Sequence, residues 1–360
     1  MQLPPEVKAQ LDEQKKQCVF CKIVKGEIPP KKVFEDDKTL AMLDIYPVVK
    51  GHTIFMPKEH YPIIPYMPAE DFNHFFGLIP ALSKAIKSGI VSVGFNILIS
   101  SGGAAGQQAA HFLVHMMPRD EGDGFFNFYF LKKGKNLDQE KTQILVNNFP
   151  PIMDNFFKRN PAAWHFGKGN VPVFLKEIYH GSPVLYEDEK VLCILAVKNA
   201  APGHIEIYSK VEEKDIDKLS PEDCIHLFQT ASSTASLLFD GLKSQGTNIL
   251  LRSGKSDDNP QGRLCIHVLP RMPNDSLQGI VWEPKQPKYE IDKIMDKIKD
   301  KTWKIKAKKE EKKEKKIEMN NKPEVITISA PTEKNIINTT IPHPTSAQDE
   351  IMAAIEKISK

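Results

Sequence analysis

The sequence predicts an α+β protein built from two like domains, each an antiparallel sheet with one helix packed on a face, followed by a flexible basic tail. The first observation behind this is that the chain is written twice. Phe34-Glu35-Asp36-Asp37 recurs as Tyr186-Glu187-Asp188-Glu189, Gly51-His52 as Gly203-His204, Glu70-Asp71 as Glu222-Asp223, and Asn96-Ile97-Leu98 as Asn248-Ile249-Leu250, always 152 residues apart. His115, Pro118 and Arg119 keep the same register with His267, Pro270 and Arg271. One register held across separate segments is the mark of a duplicated domain.

The second observation is the order of hydropathy patterns within a copy. Lys32-Val33-Phe34 and Thr39 to Leu43 flank the turn-forming Glu-Asp-Asp and predict a hairpin, with Thr53 to Pro57 as the next strand. Phe72, Phe75, Phe76, Ile79, Leu82 and Ile86 recur at helical spacing and predict one amphipathic helix over 68–89. Phe95 to Ile99 and His111 to Met117 return to strand character, so a single sheet carries the helix on one face. The third observation is a change of composition. Residues 301–318 hold nine Lys against four Glu, a net of +5 that leaves −2 for the rest of a chain whose total is +3. The domains themselves therefore lack the basic surface needed for broad nucleic-acid binding.

The expected organisation is an N-terminal helix over 1–17, a first domain over 18–123, a helical connector and linker over 124–171, a second domain over 172–284, and a Lys/Glu-rich tail over 285–360. Within the tail, Ser346-Ala347-Gln348-Asp349 reads as a capping box before Ile351, Ala354, Ile355 and Ile358, a short terminal helix that docks on a partner or on the protein itself, or stands alone as a marginal helix. With 41% hydrophobic and 26% charged residues in 360, the chain suits two domains of ordinary size. It shows no apolar leader and no run of about 18 apolar residues, so the expectation is a cytoplasmic protein with no membrane partner. Five cysteines, an odd number, do not make a disulfide framework.

The chemistry concentrates in Gly106-Gln107-Gln108-Ala109-Ala110-His111-Phe112-Leu113-Val114-His115-Met116-Met117-Pro118-Arg119. With Cys18-Val19-Phe20-Cys21, Leu43-Asp44-Ile45-Tyr46-Pro47, Gly51-His52-Thr53 and Pro57-Lys58-Glu59-His60-Tyr61, this stretch resembles the histidine-triad (HIT) superfamily. The resemblance runs over about 18–123 and, more weakly, over about 172–275. It implies nucleotide binding and attack on the α-phosphate by the middle of three alternating histidines. The three positions are His111, Leu113 and His115 in copy one, and Arg263, Cys265 and His267 in copy two. Leucine has no lone pair, so copy one cannot use that attack. Cys265 reads either as a substitute nucleophile beside Arg263 and His267 or as a small residue filling a vacated pocket.

For nucleotide binding the resemblance points to Asp44 at the ribose, to Gly106 and Gln107 at the phosphates, to Ser100 in the pocket where many relatives have Asn, and to His115. Asp44 alone also reads as a turn cap before Pro47. Cys18-x-x-Cys21 alone reads as a redox pair or as two core thiols. The resemblance joins it to His60 and His111 as a closed Cys₂His₂ set for structural zinc in domain 1 only. Copy two offers Pro172, Leu175 and Glu212 instead, and Ala196 opposite Asp44. His74, His165, His180, His226 and His343 fit no constellation.

HIT proteins commonly pair their sheets edge to edge, so the duplication implies an intramolecular pseudo-dimer. The functional expectation is a nucleotide-binding protein with weak or absent hydrolase activity, its partner a purine nucleotide or nucleotide phosphate. The rivals are a phosphoramidase or dinucleoside polyphosphate hydrolase working through His115 or Cys265, and a scaffold that binds no nucleotide.

Overall fold

The computed structural model describes residues 12–305, apart from 126–127, 129–136, 160–168, 276, 278–279, 281 and 283–285. Most of the N-terminal helix expected over 1–17, most of the aromatic stretch after Phe125, His165, His343, the tail beyond 305 and its terminal helix lie outside the described residues. Residues 12–17 are helical.

Copy one runs α1 (Val19–Val24), β1 (Lys32–Glu35), β2 (Thr39–Leu43), β3 (Thr53–Pro57), α2 (Ala69–Ile90), β4 (Gly94–Ser101) and β5 (Val114–Arg119). A connecting helix α3 (Gln139–Arg159) follows. Copy two then repeats the order as α4 (Lys176–Gly181), β6 (Val184–Glu187), β7 (Val191–Leu195), β8 (Ile205–Ser209), α5 (Pro221–Gly241), β9 (Gly246–Ser253) and β10 (Cys265–Arg271), ending in α6 (Ile291–Thr302). The long helices begin where the sequence says they should. Ser220 caps α5 by accepting from the Asp223 N–H, with Pro221 in the first turn, and Glu70 and Asp71 place negative charge at the start of α2.

All ten strands form one sheet in the order β1-β2-β3-β5-β4-β9-β10-β8-β7-β6. The copies join edge to edge through antiparallel β4 and β9, in which Leu98 faces its own counterpart Leu250. On the helical face Phe76 stacks on its counterpart Phe228, with centroids 4.7 Å apart. A pseudo-two-fold axis therefore passes between these two pairs, and the expected intramolecular pseudo-dimer is the observed architecture. Pairing edge to edge also leaves neither copy with a bare central edge.

Alternation along the strands sorts the side chains into two layers. Phe112, Val114 and Met116, like Leu264, Ile266 and Val268, enter the large core under α2 and α5. The opposite face carries Leu113 and Cys265, each in a small apolar cluster of its own copy, while Met117, Leu250 and Leu269 share a central cluster with Leu98. Strand β5 begins at Val114 rather than at His111, because Phe112 turns its N–H to the Tyr61 carbonyl (2.6 Å) instead of a neighbouring strand.

Two features differ from the sequence expectation. Residues 291–302 are not tail: they form α6, which packs on α2 and β1 of copy one. Its Ile294 and Ile298 lie in the core, and Thr302 Oγ1 donates to the Val33 carbonyl (2.5 Å). Helix α3, which starts 152 residues earlier, packs reciprocally against β6 of copy two, with Leu145, Phe149 and Met153 buried. Each copy thus lends its C-terminal helix to the other. The second feature is the role of His74 and His226. Each contacts the turn aspartate of its own hairpin, Asp36 at 2.7 Å and Asp188 at 2.6 Å, and so ties hairpin to helix in both copies. The shared spacing of these two pairs was the signal.

The junction is asymmetric in its polar contacts. Asp258 of copy two, fully buried, pairs with the buried Arg119 of copy one (2.8 Å) and accepts from Asn96 Nδ2 (2.8 Å). Gly106 stands at the corresponding position of copy one, so no mirrored carboxylate exists. Lys87 of α2 adds ion pairs with Asp217 (2.7 Å) and Asp215 (3.2 Å) of copy two. A buried pair of this kind is poor evidence of net stability, but it specifies how two surfaces meet.

Candidate functional site

In copy one the strand–turn–strand from β2 to β3 and the strand β5 bring Asp44, His52 and His115 together. Asp44 Oδ1 accepts from the Tyr46 N–H (2.8 Å), so the carboxylate does cap its turn, while Oδ2 lies 3.5 Å from His52 Nδ1. The Val48 N–H points at that same Nδ1 (3.5 Å), which makes Nδ1 the accepting nitrogen and leaves the His52 proton on Nε2. His52 Nε2 then donates to His115 Nδ1 (3.0 Å), and His115 is left with an N–H on Nε2. Burial pushes His52 down to about 3, and burial together with the neighbouring ring pushes His115 down as well, so both rings are neutral at pH 7. The relay therefore presents an oriented, uncharged donor.

Trp282, which follows copy two in the chain, stands edge-on to both rings, 5.4 Å from His52 and 5.2 Å from His115. Sequence reasoning assigned a role to neither His52 nor Trp282. For His52 the signal was there, since His52 and His115 recur together as His204 and His267; for Trp282 there was none.

Ser100 lies on the same face, one step along β4 from Leu98, the residue that pairs with His115. Its Oγ accepts from Asn248 Nδ2 of copy two (2.9 Å), leaving the hydroxyl hydrogen to donate. Gly106 and Gln107, the residues expected at the phosphates, are engaged within the chain. Their N–H groups close a 3₁₀ turn onto Gly103 (3.0 Å) and Gly102 (3.2 Å). The Gln107 side chain accepts from the Gly102 N–H (2.8 Å) and donates to the Pro62 and Ala109 carbonyls (2.8 and 2.9 Å). Two of these bonds hold the Gln107 side chain to its own loop and the third ties that loop to the segment after β3.

At the attacking position, Leu113 packs against the cluster of Leu40, Met42, Ile54 and Met56 beneath α1. Cys265 has the matching place in copy two, buried among Leu175, Leu192, Ile194 and Tyr208. Burial, reinforced by Glu206, pushes its thiol well up, which keeps it protonated. Burial in this apolar cluster and a raised thiol favour the packing reading of Cys265 over the nucleophilic one. Copy two repeats the ring pair but not its proton order: the Ala200 N–H lies on His204 Nδ1 (3.1 Å) and His204 Nε2 is 3.0 Å from His267 Nδ1, yet the donor-only Arg252 guanidinium makes His267 Nε2 an acceptor. Its counterpart of Ser100 is Arg252, whose guanidinium Nε lies 3.1 Å from His267 Nε2. A large cation thus stands where copy one has a small hydroxyl.

A second cluster gathers Cys18, Cys21, His60 and His111, with the four donor atoms within 4.8 Å of one another. Cys18 Sγ lies 3.5 Å from His111 Nδ1, and Cys21 Sγ lies 3.3 Å from His60 Nδ1. His111 Nε2 donates to the Pro57 carbonyl (2.9 Å), which fixes the tautomer and turns the Nδ1 lone pair towards the sulfurs. Burial and the adjacent Cys18 push the Cys21 thiol up to about 12, with Lys15 opposing the shift. Two thiols and two lone-pair nitrogens converging in this way fit a closed tetrahedral metal centre.

A family profile for the HIT domain matches residues 25–122 and 179–274, more than half of the chain and both copies. The chain belongs to the HIT family. An uncharacterized HIT-like protein of Methanocaldococcus jannaschii is 39% identical over 127 residues, covering 35% of this chain and 98% of that protein. An adenylylsulfatase of Arabidopsis thaliana is 38% identical over 129 residues, 36% of this chain and 66% of that protein. Among solved structures, a HIT family protein from Bacillus anthracis is 36% identical, with 39% of this chain and 96% of that chain covered at a TM-score of 0.32. These relatives match about one copy's worth of residues. Among the described residues no helix of this HIT protein is long and apolar enough to cross a membrane.

Proposed function

We propose that this protein binds a purine nucleotide at copy one and turns it over slowly or not at all, with copy two as its structural partner. The observation that carries this reading is Leu113. An apolar side chain seated in a packed cluster stands where HIT chemistry needs a nucleophile, while the neighbouring donors keep their geometry. The phosphate would meet the His115 Nε2–H and the Ser100 hydroxyl, and the ribose hydroxyls would meet the Asp44 carboxylate, with Trp282 as an aromatic wall. In copy two, Ala196 and Arg252 replace the corresponding groups, which supports one nucleotide per chain.

The first probe is AMP, because two relatives carry names that specify adenylates: the Arabidopsis adenylylsulfatase and an adenosine 5'-monophosphoramidase of Candida albicans, 34% identical over 112 residues. Titration calorimetry on the full chain is expected to give saturable AMP binding near one per chain. No heat of binding at millimolar AMP would sink the reading and favour a scaffold.

The same proposal assigns structural zinc to Cys18, Cys21, His60 and His111. The metal would tie α1, the segment after β3 and the approach to β5 into one unit, which gives His111 a task that survives the loss of catalysis. Protein purified without chelator should carry about one zinc per chain, and Cys21→Ser should lose the metal and melt several degrees lower. Metal analysis finding no zinc in the wild-type protein would remove this assignment.

A further inference from the structure

We infer that Asn248, a residue of copy two, is a positioning residue for the phosphate end of copy one's site; this deepens the nucleotide reading above and depends on it. Asn248 is fully buried at the junction strand β9, opposite Ser100 of β4. Its Nδ2 donates to two groups of copy one: Ser100 Oγ (2.9 Å) and the Ala105 carbonyl (3.0 Å), the latter in the 3₁₀ turn that leads into Gly106 and Gln107. Its Oδ1 accepts from Arg271 Nη1 (2.5 Å), and Arg271 is itself clamped by Asp275 through two bonds of 2.7 and 2.9 Å. A chain of charge-assisted bonds therefore sets which way the amide points, so that NH₂ and not oxygen faces Ser100.

That orientation decides what Ser100 can do. A hydroxyl has one proton and lone pairs. With an amide donor fixed on a lone pair, the proton turns away from the junction and is available to an anion. An acceptor at the same place would draw the proton back. The backbone reinforces the arrangement. A Cβ on Gly246 would come within 2.8 Å of the Ala105 N and the Ser101 O, so only glycine lets copy two press this close to the turn. The counterpart of Asn248 in copy one, Asn96, does something else, donating to Asp258 instead. Support for a phosphate-end donor therefore runs one way, from copy two to copy one.

The experiment is calorimetry on the full chain with AMP and with adenosine, comparing wild type with Ser100→Ala, Asn248→Ala, their double variant, and Asn248→Asp. Asn248→Ala is expected to weaken AMP about tenfold, the loss of one hydrogen bond to a charged group, and to leave adenosine within about twofold. The double variant should bind AMP no more weakly than Ser100→Ala alone, because both changes remove one donor. Asn248→Asp keeps the shape and the Arg271 contact, which preserves folding if the alanine variant fails to fold; it should weaken AMP at least as much as Ser100→Ala, again sparing adenosine. The inference is overturned if the Asn248 variants bind AMP like wild type, if they weaken AMP and adenosine alike as a general loosening would, or if the two alanine effects add. A wild-type protein that binds no AMP is a different outcome: it overturns the nucleotide reading itself, and the inference falls with it.

Discussion

Ile298→Asp should destabilise the whole molecule by about 4 kcal/mol or more and lower its single thermal transition by roughly 10 °C. Ile298 belongs to α6, sequentially part of copy two and spatially part of copy one, and it is completely buried. Its neighbourhood has no slack. A Cβ on Gly89 of α2 would lie 3.0 Å from the Ile298 Cα and Cγ1, so the two helices touch backbone to side chain. A carboxylate there could reach neither water nor a cation without parting α6 from α2, and parting them would uncover β1 as well. The loss should spread into copy two because β4 and β9 are neighbours within one sheet and because the borrowed helices link the copies in both directions. Differential scanning calorimetry would check this. A variant with two separate transitions, the upper one at the wild-type temperature, would show that the copies fold independently and would overturn the account.

The α6 result also marks where sequence reasoning stopped. The 152-residue register made the duplication legible, because turn residues and buried strand residues repeat as identities or near-identities. The same register runs on from Gln139 at the start of α3 to Ile291 at the start of α6, but those helices share spacing rather than letters. What a helix needs for docking is an apolar stripe, and Ile294 and Ile298 with Lys and Asp between them look, in one dimension, like the beginning of the charged tail. Which copy a helix docks on cannot be read from its own residues at all.

The site divides in a similar way. Residue type alone identified Leu113 as unable to attack, and the recurring His115 and His267 as worth following. Direction of side chains was not legible: Gln107 could face a phosphate or the chain around it, and its side chain is engaged by Gly102 and Ala109 of its own loop and by Pro62. Cys265 was ambiguous because a thiol is both a small apolar filler and a nucleophile. Its burial beside Leu192 and Ile194 favours the first.

Acid should unfold this protein at a pH well above that of ordinary carboxylate titration. His52, His115, His204 and His267 are all enclosed. Burial holds His52 and His204 down at about 3; for His115 burial acts together with His52, and for His267 together with Arg252 and His204. Asp44 faces the first pair at 3.5 Å from His52, and Glu206 faces the second at 3.6 Å from His267, neither close enough to offset the loss of water. In the unfolded chain each ring titrates near 6.5. The native pKa values lie below the unfolded ones, so between them the unfolded chain binds more protons, and stability present above pH 6.5 is lost as the pH falls. Between pH 7 and 5.5 each such histidine costs roughly 1.2 kcal/mol, about 5 kcal/mol for the four, a large share of the stability of an ordinary domain. Chemical denaturation at pH 7.5, 6.5 and 5.5 would measure it. The slope should persist in Cys21→Ser, which separates it from metal loss, and should shrink by about half when His204 and His267 are both replaced by Asn. Stability that stays level down to pH 5.5 would mean that these rings accept protons in the folded protein, and that the relay presenting a neutral His115 is not the arrangement described above.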